Sequence, residues 1–206
     1  MSARAGGIWL IAAAMLFWLS WCFMPGVGVT DAAQILERVA AQRGAVRLSV
    51  ALQLLSAACY APALLALALR ANAEGARGLT LGATLLLMGA MGSAADSVFH
   101  WLAVEMTAPG VSAGAMLPVM ARMQGPALVV VAPLIVAFFV GTAVLAAAAT
   151  RARWVPRGCA ALLLLSPLAL VAGKVAGPAH ARIAGLAFLA CVGVVQAWIG
   201  AGLLRR

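Results

Sequence analysis

The stretch LTLGATLLLMGAMGSAADSVFHWLAVEM, residues 79–106, decides the fold of this chain. It is mostly apolar over more than the ~20 residues that an α-helix needs to cross the hydrocarbon core of a bilayer. It also carries Asp96, His100 and Glu105 toward its C-terminal end. Ionisable groups inside a span are energetically expensive and mark a candidate functional site by default. The stretch therefore predicts a membrane span that contains the site.

The composition of the whole chain agrees with membrane insertion. Of the 206 residues, 66% are hydrophobic and 9% are charged, and the mean hydropathy is +1.08. So little polar surface does not cover a soluble globule. We therefore predict an all-α polytopic membrane protein, a bundle of six transmembrane helices that forms a single integral membrane domain over residues 1–206.

The net charge of +9 bears on the partners of the protein. The basic residues lie singly or in small groups at the ends of apolar runs and do not form one stripe. This pattern argues against nucleic acid as a partner and favours membrane lipids with anionic headgroups. Two further kinds of partner stay open, namely a second copy of the chain in a homo-oligomer and the subunits of a larger membrane complex.

Apolar runs separated by short polar segments predict the topology. The six spans are predicted at residues 8–24, 45–70, 79–106, 126–150, 158–173 and 183–204. Residues 31–43 predict an amphipathic helix that lies on the membrane or covers the bundle, with Asp31 as its N-cap and Gly44 as its stop. A short interfacial helix or re-entrant piece is predicted at residues 114–125, and Pro167 interrupts the fifth span.

The distribution of Lys and Arg predicts the orientation. If both termini lie inside, eight of the 14 basic residues are inner and six are outer. The inner set is Arg4, Arg70, Arg77, Arg151, Arg153, Arg157, Arg205 and Arg206, and the outer set is Arg38, Arg43, Arg47, Arg122, Lys174 and Arg182. Because cytoplasmic loops carry the excess of positive charge, both termini are predicted to be cytoplasmic. A high content of Ala, Gly and Arg is typical of GC-rich coding and favours a bacterial inner membrane.

Polar residues of the second and third spans are predicted to meet in the outer half of the bundle. At ~1.5 Å per residue, Gln53 lies at the depth of His100, and Ser56 lies at the depth of Asp96. Tyr60 continues the polar face of the second span. The predicted ligand-binding set comprises Asp96, His100, Gln53, Ser56, Tyr60, Ser93, Ser97, Arg47 and Glu105.

Small residues on the third span predict close helix contacts. Gly89, Ser93 and Ser97 recur every four residues, and Gly82 extends the same face. Such spacing lets neighbouring helices approach closely in a membrane. The third span is therefore predicted to be central in the bundle.

The pair formed by Asp96 and His100 supports several hypotheses. It is a packing device, or it is part of a site for a small molecule, a proton or a lipid headgroup. A metal site would use Asp96, His100 and His180, and the two histidines would also permit a haem in a membrane redox component. An enzyme acting on a lipid would use His100 as general base, oriented by Asp96.

Among these hypotheses the sequence favours binding. The chain contains no sequence motif for a phosphate-binding loop, a nucleophile elbow or a zinc-protease helix. Three spans contain proline, which fits a transporter, but no inverted repeat is evident. We expect a non-enzymatic membrane protein that binds a small or lipid-like ligand, or a partner subunit, near Asp96 and His100.

The segment with Asp31, Ile35 and Leu36, followed by Arg47 and Leu48 at the start of the second span, resembles a known family. This family is a broad group of bacterial multi-pass membrane proteins of unknown function. The resemblance covers the first half of the chain. It implies a multi-pass topology, and no catalytic residues come with it.

Overall fold

The computed structural model describes residues 2–205, without the side chains of residues 127, 178 and 179. Over these residues the chain is helical and has no β-strand. The helices are α1 (Ala3–Phe23), α2 (Ala32–Ala41), α3 (Arg43–Ala73), α4 (Arg77–Met106), α5 (Ala113–Arg122), α6 (Leu128–Arg151), α7 (Arg157–Leu165), α8 (Pro167–Ala176) and α9 (Pro178–Leu204). A π-helical turn, Met123–Ala127, joins α5 to α6. Arg206, which belongs to the predicted inner set of basic residues, lies outside the described residues.

Six helical segments are long and apolar enough to cross a membrane, and they correspond one to one to the predicted spans. These segments are α1, α3, α4, α6, the α7–α8 pair and α9. Each of these segments extends beyond its predicted apolar run at one end or both, although α6 begins at Leu128, two residues after the predicted start. At the start of α1, for example, the Ser2 hydroxyl accepts a hydrogen bond from the Ala5 N–H at 3.2 Å. This N-cap lets the helix begin at Ala3.

The amphipathic helix α2 begins as predicted but ends earlier. The Asp31 carboxylate caps it by accepting a first-turn backbone N–H at 2.9 Å. The predicted stop at Gly44 is wrong, since Gly44 lies in the first turn of α3. The break falls at Gln42, where φ is −133° and ψ is 37°, and the Gln42 N–H donates to carbonyls of the last turn of α2. One non-helical residue with negative φ redirects the chain, so no glycine is needed.

The fifth span is two short helices, as Pro167 predicts. Because Pro167 has no N–H, it cannot donate to the Leu163 carbonyl four residues earlier. The Ser166 hydroxyl donates to this carbonyl instead, at 2.8 Å. The interruption therefore leaves no orphaned acceptor at Leu163.

The membrane-length helices form a curved row. α6 packs on α4, α4 on α3, α3 on α1, α1 on α9, and α9 on α8. The two sides of the row come together in the half of the bundle nearer the chain termini, where Gln196 of α9 hydrogen-bonds to Thr142 of α6 at 2.8 Å. Toward the opposite end, which carries α2 and is called the α2 end below, the two sides diverge.

Glycines create the tight seam between α4 and α6. A Cβ atom on Gly82 would lie 2.7 Å from the backbone nitrogen of Leu145, and one on Gly89 would overlap the backbone of Phe138. Side chains do not fit at such separations, so the two backbones are in direct contact. The close approach predicted for the third span is confirmed, and α6 is the helix that approaches.

α2 packs over the bundle. Its buried Leu36 and Val39 join an apolar cluster with residues of α3, α4 and α5. The other members of this cluster are Met24, Val46, Val50, Ala103, Val104 and Met120. The structure shows α2 packed on the bundle, which is one of the two predicted positions. Residues 113–122 form a helix at the same end, in agreement with the helix predicted there.

Candidate ligand cavity

A cavity of about 940 Å³ lies beneath α2, between the two sides of the curved row. α1 and α4 form its back, α6 borders one side, and α8 and α9 border the other. Residues 26–31 and the inner face of α2 cover it. Small-molecule sites in proteins have volumes of roughly 300–1,000 Å³, so this cavity has room for a large ligand.

Aromatic rings form the floor of the cavity. Phe17 and Phe138 have ring centroids 4.6 Å apart, and those of Phe139 and Phe188 are 5.4 Å apart with the ring planes tilted by 43°. Phe138 and Phe139 also contact each other edge to face at 5.6 Å. Phe139 and Phe188 are partly exposed and offer apolar surface to a ligand, whereas Phe17 and Phe138 are buried and support them from the core.

Asp96 and His100 form the polar part of the back wall. Oδ2 of Asp96 is 3.7 Å from Nδ1 of His100, which is an ion-pair distance for a protonated imidazole but too long for a hydrogen bond. The two side chains are 19% and 26% exposed, respectively. The His100 ring also packs edge to face against Trp21, with centroids 5.9 Å apart. The pair therefore has both an apolar support and access to the cavity.

Two buried nitrogen atoms beside the cavity lack hydrogen-bond partners within the described part of the chain. They are Nδ1 of His100 and Nε1 of Trp21. Buried polar atoms without partners are rare in native proteins and call for a specific explanation. On a ligand, Nε1 of Trp21 would bind an acceptor, and Nδ1 of His100 would bind a donor or an acceptor according to its tautomer.

Three cations line the cavity near its cover. Arg38 belongs to α2, Lys174 to α8 and Arg182 to α9. A guanidinium nitrogen of Arg38 donates to the Pro25 carbonyl at 3.3 Å, and one of Arg182 donates to the Cys22 carbonyl at 3.0 Å. Over residues 2–205, none of the three forms an ion pair with a carboxylate. The upper part of the cavity therefore carries net positive charge, since the three cations outnumber the Asp31 carboxylate of the cover.

The predicted polar residues of the second span, and Ser97 of the third, do not line the cavity. The Ser97 hydroxyl donates to Oε1 of Gln53 at 2.7 Å, and the Ser56 hydroxyl donates to the Ala13 carbonyl at 2.7 Å. The Tyr60 hydroxyl donates to Gln196. These buried bonds join α3 to α4, α1 and α9. Of the predicted set, Asp96, His100 and Ser93 line the cavity.

Arg47 and Glu105 lie outside the cavity. Both are exposed, and the Arg47 guanidinium lies over the ring of Trp101 at 6.0 Å from its centroid. This cation–π contact links the first turns of α3 to the end of α4. Arg47 and Glu105 were predicted as ligand-binding residues, but neither lines this cavity.

The structure does not gather the predicted metal ligands. Among residues 2–205, no three His, Cys, Asp or Glu side chains lie close enough together to hold one metal ion. His180 is exposed on the first turn of α9, and its Nδ1 lies 3.1 Å from the Ala176 carbonyl oxygen. Asp96 and His100 remain as a set of two ligands, whereas a structural zinc site uses four protein ligands and a catalytic one uses three.

Sequence reasoning did not assign the cations or the aromatic floor to the site. Arg38, Lys174 and Arg182 were predicted on the outer side, and the structure places all three at the α2 end. Their convergence depends on how α2, α8 and α9 pack, and no local pattern reveals it. Thr142 and Gln196 were also missed, although a lone amide in an apolar span is a signal of a helix-to-helix hydrogen bond.

No protein-family model, no curated protein and no solved structure matches this chain. The assignment of a function therefore depends on the geometry and chemistry of the cavity itself.

Proposed function

We propose that this chain is a multi-pass membrane protein whose cavity binds a small or lipid-like molecule beside Asp96 and His100. The single observation that carries the proposal is a cavity of about 940 Å³ with a polar pair on its wall and aromatic rings on its floor. A purely structural ion pair would be surrounded by packed side chains. Here the pair faces open volume, so it is available to a ligand.

The environment of the pair supports a binding role. Ionisable side chains within membrane-length helices are costly and are retained mainly where they serve function or pair with each other. The hydrogen bonds that join the helices are made by other residues, such as Ser97 with Gln53 at 2.7 Å. The fold therefore does not depend on Asp96 and His100 for its polar contacts between α3 and α4.

We further propose that the protein resides in a bacterial inner membrane with both termini in the cytoplasm. In this orientation α2 and the cavity face the outer side. The support is the excess of Lys and Arg on the side of the termini, where Arg151 ends α6, Arg153 lies in the connection and Arg157 begins α7. The ligand would then come from the outer leaflet or from the compartment outside it.

A cavity-filling substitution tests the proposed function. Ser93 lines the cavity, whereas Met91 on the same helix is 65% exposed on the bundle surface. In Ser93→Phe the ring occupies cavity volume, and in Met91→Phe a similar ring is added on the outside. The two variants are purified in a mild detergent, and the molecules that remain bound are extracted and quantified by mass spectrometry.

We expect Ser93→Phe to retain at least about tenfold less of the bound molecule than wild type, which corresponds to roughly 1.4 kcal/mol of binding energy. Met91→Phe is expected to retain as much as wild type. Thermal unfolding of each variant shows whether the fold is intact. Equal retention by Ser93→Phe and Met91→Phe, or a wild-type protein that carries no bound molecule, would refute the proposal.

A further inference from the structure

We infer that the molecule bound in the cavity is a lipid with an anionic headgroup, held by Lys174, Arg182 and Arg38. The hydrocarbon part of the lipid lies on the aromatic floor. This inference rests on the proposed function, because it names the class of ligand that the same cavity binds.

The balance of charge around the cavity favours an anion. Three cations and two carboxylates line it, and each carboxylate already has a partner. Asp31 accepts the backbone N–H of Gln34 at 2.9 Å, and Asp96 lies 3.7 Å from His100. Arg38 and Arg182 are likewise hydrogen-bonded to the backbone and Lys174 has no polar partner within the described chain, so the cavity lining carries one more cation than carboxylates. A negative headgroup would supply the missing charge.

The three cations approach from separate elements and retain free donors. Lys174 makes no hydrogen bond or ion pair in the described part of the chain and has three N–H donors. Arg38 and Arg182 each use one nitrogen on a backbone carbonyl, and a guanidinium has five donors. The planar guanidinium matches the geometry of phosphate and carboxylate oxygens. Together the three side chains make a site for an oxyanion.

The two carbonyls that hold the arginines also fix the position of the site. Arg182 binds the Cys22 carbonyl at the end of α1, and Arg38 binds the Pro25 carbonyl just beyond it. The end of α1 and the connection that follows it are therefore held by Arg182 of α9 and by Arg38 of the covering helix α2. The headgroup site is built where this connection crosses the top of the cavity.

The apolar lining selects a lipid over a soluble anion. Beneath the cations the wall continues into the aromatic floor, where Phe139 and Phe188 are partly exposed. A soluble anion would leave this apolar surface in contact with water, whereas a hydrocarbon chain would remove it from water. The two classes of surface thus match the two parts of one amphipathic molecule.

The two borders of the cavity provide a route from the surrounding lipid. Leu128 and Ile135 of α6 line one side, and Leu170 of α8 lines the other. The outward faces of the same helices are strongly apolar, with Val130 77% and Val175 84% exposed. A lipid would enter sideways between α6 and α8 without leaving the apolar phase.

Headgroup exchange in lipid nanodiscs tests the inference. Wild-type protein is placed in nanodiscs that contain equal amounts of phosphatidylglycerol and phosphatidylcholine, and the lipids that stay bound are identified by native mass spectrometry. The charge variant is Lys174→Gln, which removes a cation that makes no hydrogen bond in the described chain. The matched control is Arg122→Gln, because Arg122 is an exposed cation at the same end that does not line the cavity. Ser93→Phe is measured in parallel.

We expect wild type and Arg122→Gln to retain phosphatidylglycerol in preference to phosphatidylcholine. Removal of one cation near a headgroup weakens its attraction by about fivefold, so Lys174→Gln should lose most of the preference. On the same basis, the affinity of the double variant Lys174→Gln with Arg182→Gln for the anionic lipid should fall by about 25-fold. Ser93→Phe should retain neither lipid.

Three results would overturn the inference, and they separate it from the proposed function. Equal retention of both lipids, unchanged in Lys174→Gln but lost in Ser93→Phe, would refute the anionic headgroup and leave the proposed function intact. Displacement of phosphatidylglycerol by millimolar glycerol phosphate would assign the site to a soluble anion. Retention of neither lipid by wild type, in a protein that also carries no other bound molecule, would refute both.

Discussion

Gln196 on α9 donates a hydrogen bond from Nε2 to Oγ1 of Thr142 on α6, at 2.8 Å. The hydroxyl of Tyr60 on α3 donates to Oε1 of the same amide. All three side chains are almost completely buried. Thr142 lies one helical turn after Phe138 of the aromatic floor. A single amide therefore joins three helices and closes the row below the cavity.

This buried amide predicts a clear effect on stability. In Gln196→Leu, Tyr60 and Thr142 each lose a partner, and we expect the free energy of unfolding to fall by about 1–2 kcal/mol. Thr84→Val is the control, because Thr84 is exposed and its hydroxyl donates to the Thr80 carbonyl of its own helix at 3.0 Å. The control should change stability by less than about 0.5 kcal/mol. Reversible unfolding in detergent measures both, and a Gln196→Leu variant as stable as wild type would contradict the assignment.

The spans could be predicted because lipid leaves the backbone few choices. In a bilayer core every backbone N–H and C=O must be satisfied within the chain, so a long apolar run in a helical protein becomes a helix. The run at residues 79–106 lies in the helix Arg77–Met106. Helical segments long and apolar enough to cross a membrane also occur at the other five predicted spans. The ends were less predictable, because a cap such as Ser2 or a break such as Gln42 depends on one residue.

The direction in which each polar side chain points could be predicted only in part. Asp96 and Ser97 are adjacent, yet a helix turns by ~100° per residue, so they face different neighbours. Ser97 binds Gln53 on α3, and Asp96 faces the cavity. Periodicity shows that a residue faces inward, but a central helix has several inward neighbours. The order of the helices in the bundle decides which neighbour a residue faces, and the hydropathy pattern does not reveal this order.

The cationic part of the site could not be predicted for the same reason. Arg38 and Lys174 are far apart in the sequence and belong to α2 and α8. Their common position at the α2 end followed from the count of spans, but their common cavity follows from the packing of α8 on α9 and α2 on the bundle. A local pattern does not carry such long-range contacts.

The seam between α4 and α6 predicts that added volume is destabilising. In Gly82→Ala the new methyl would lie 2.7 Å from the backbone of Leu145, so the helices must separate. We expect a loss of about 1–3 kcal/mol in the free energy of unfolding. Gly158→Ala in α7 is the control, because no atom lies near its added methyl, and it should be neutral or slightly stabilising. If both variants unfold at the same temperature, the seam is looser than described.

The two-ligand set formed by Asp96 and His100 predicts the metal content. We expect detergent-purified protein to contain much less than one bound metal ion or haem per chain, since two ligands hold a metal weakly. Elemental analysis and a visible absorption spectrum measure this, with His100→Ala as the comparison. A stoichiometric metal or a haem spectrum in wild type, absent from His100→Ala, would instead support the metal or haem hypothesis.

The proposed orientation predicts which positions are reachable from outside the cell. Glu37 is exposed on α2, and Arg151 is exposed at the opposite end of the bundle. The four native cysteines, Cys22, Cys59, Cys159 and Cys191, are first replaced by alanine or serine. Glu37→Cys or Arg151→Cys is then introduced, and intact cells are treated with a membrane-impermeant maleimide. If the excess of basic residues holds the termini in the cytoplasm, Glu37→Cys is labelled in intact cells and Arg151→Cys is labelled only after lysis. The reverse pattern would turn the cavity toward the cytoplasm, where its lipid would come from the inner leaflet.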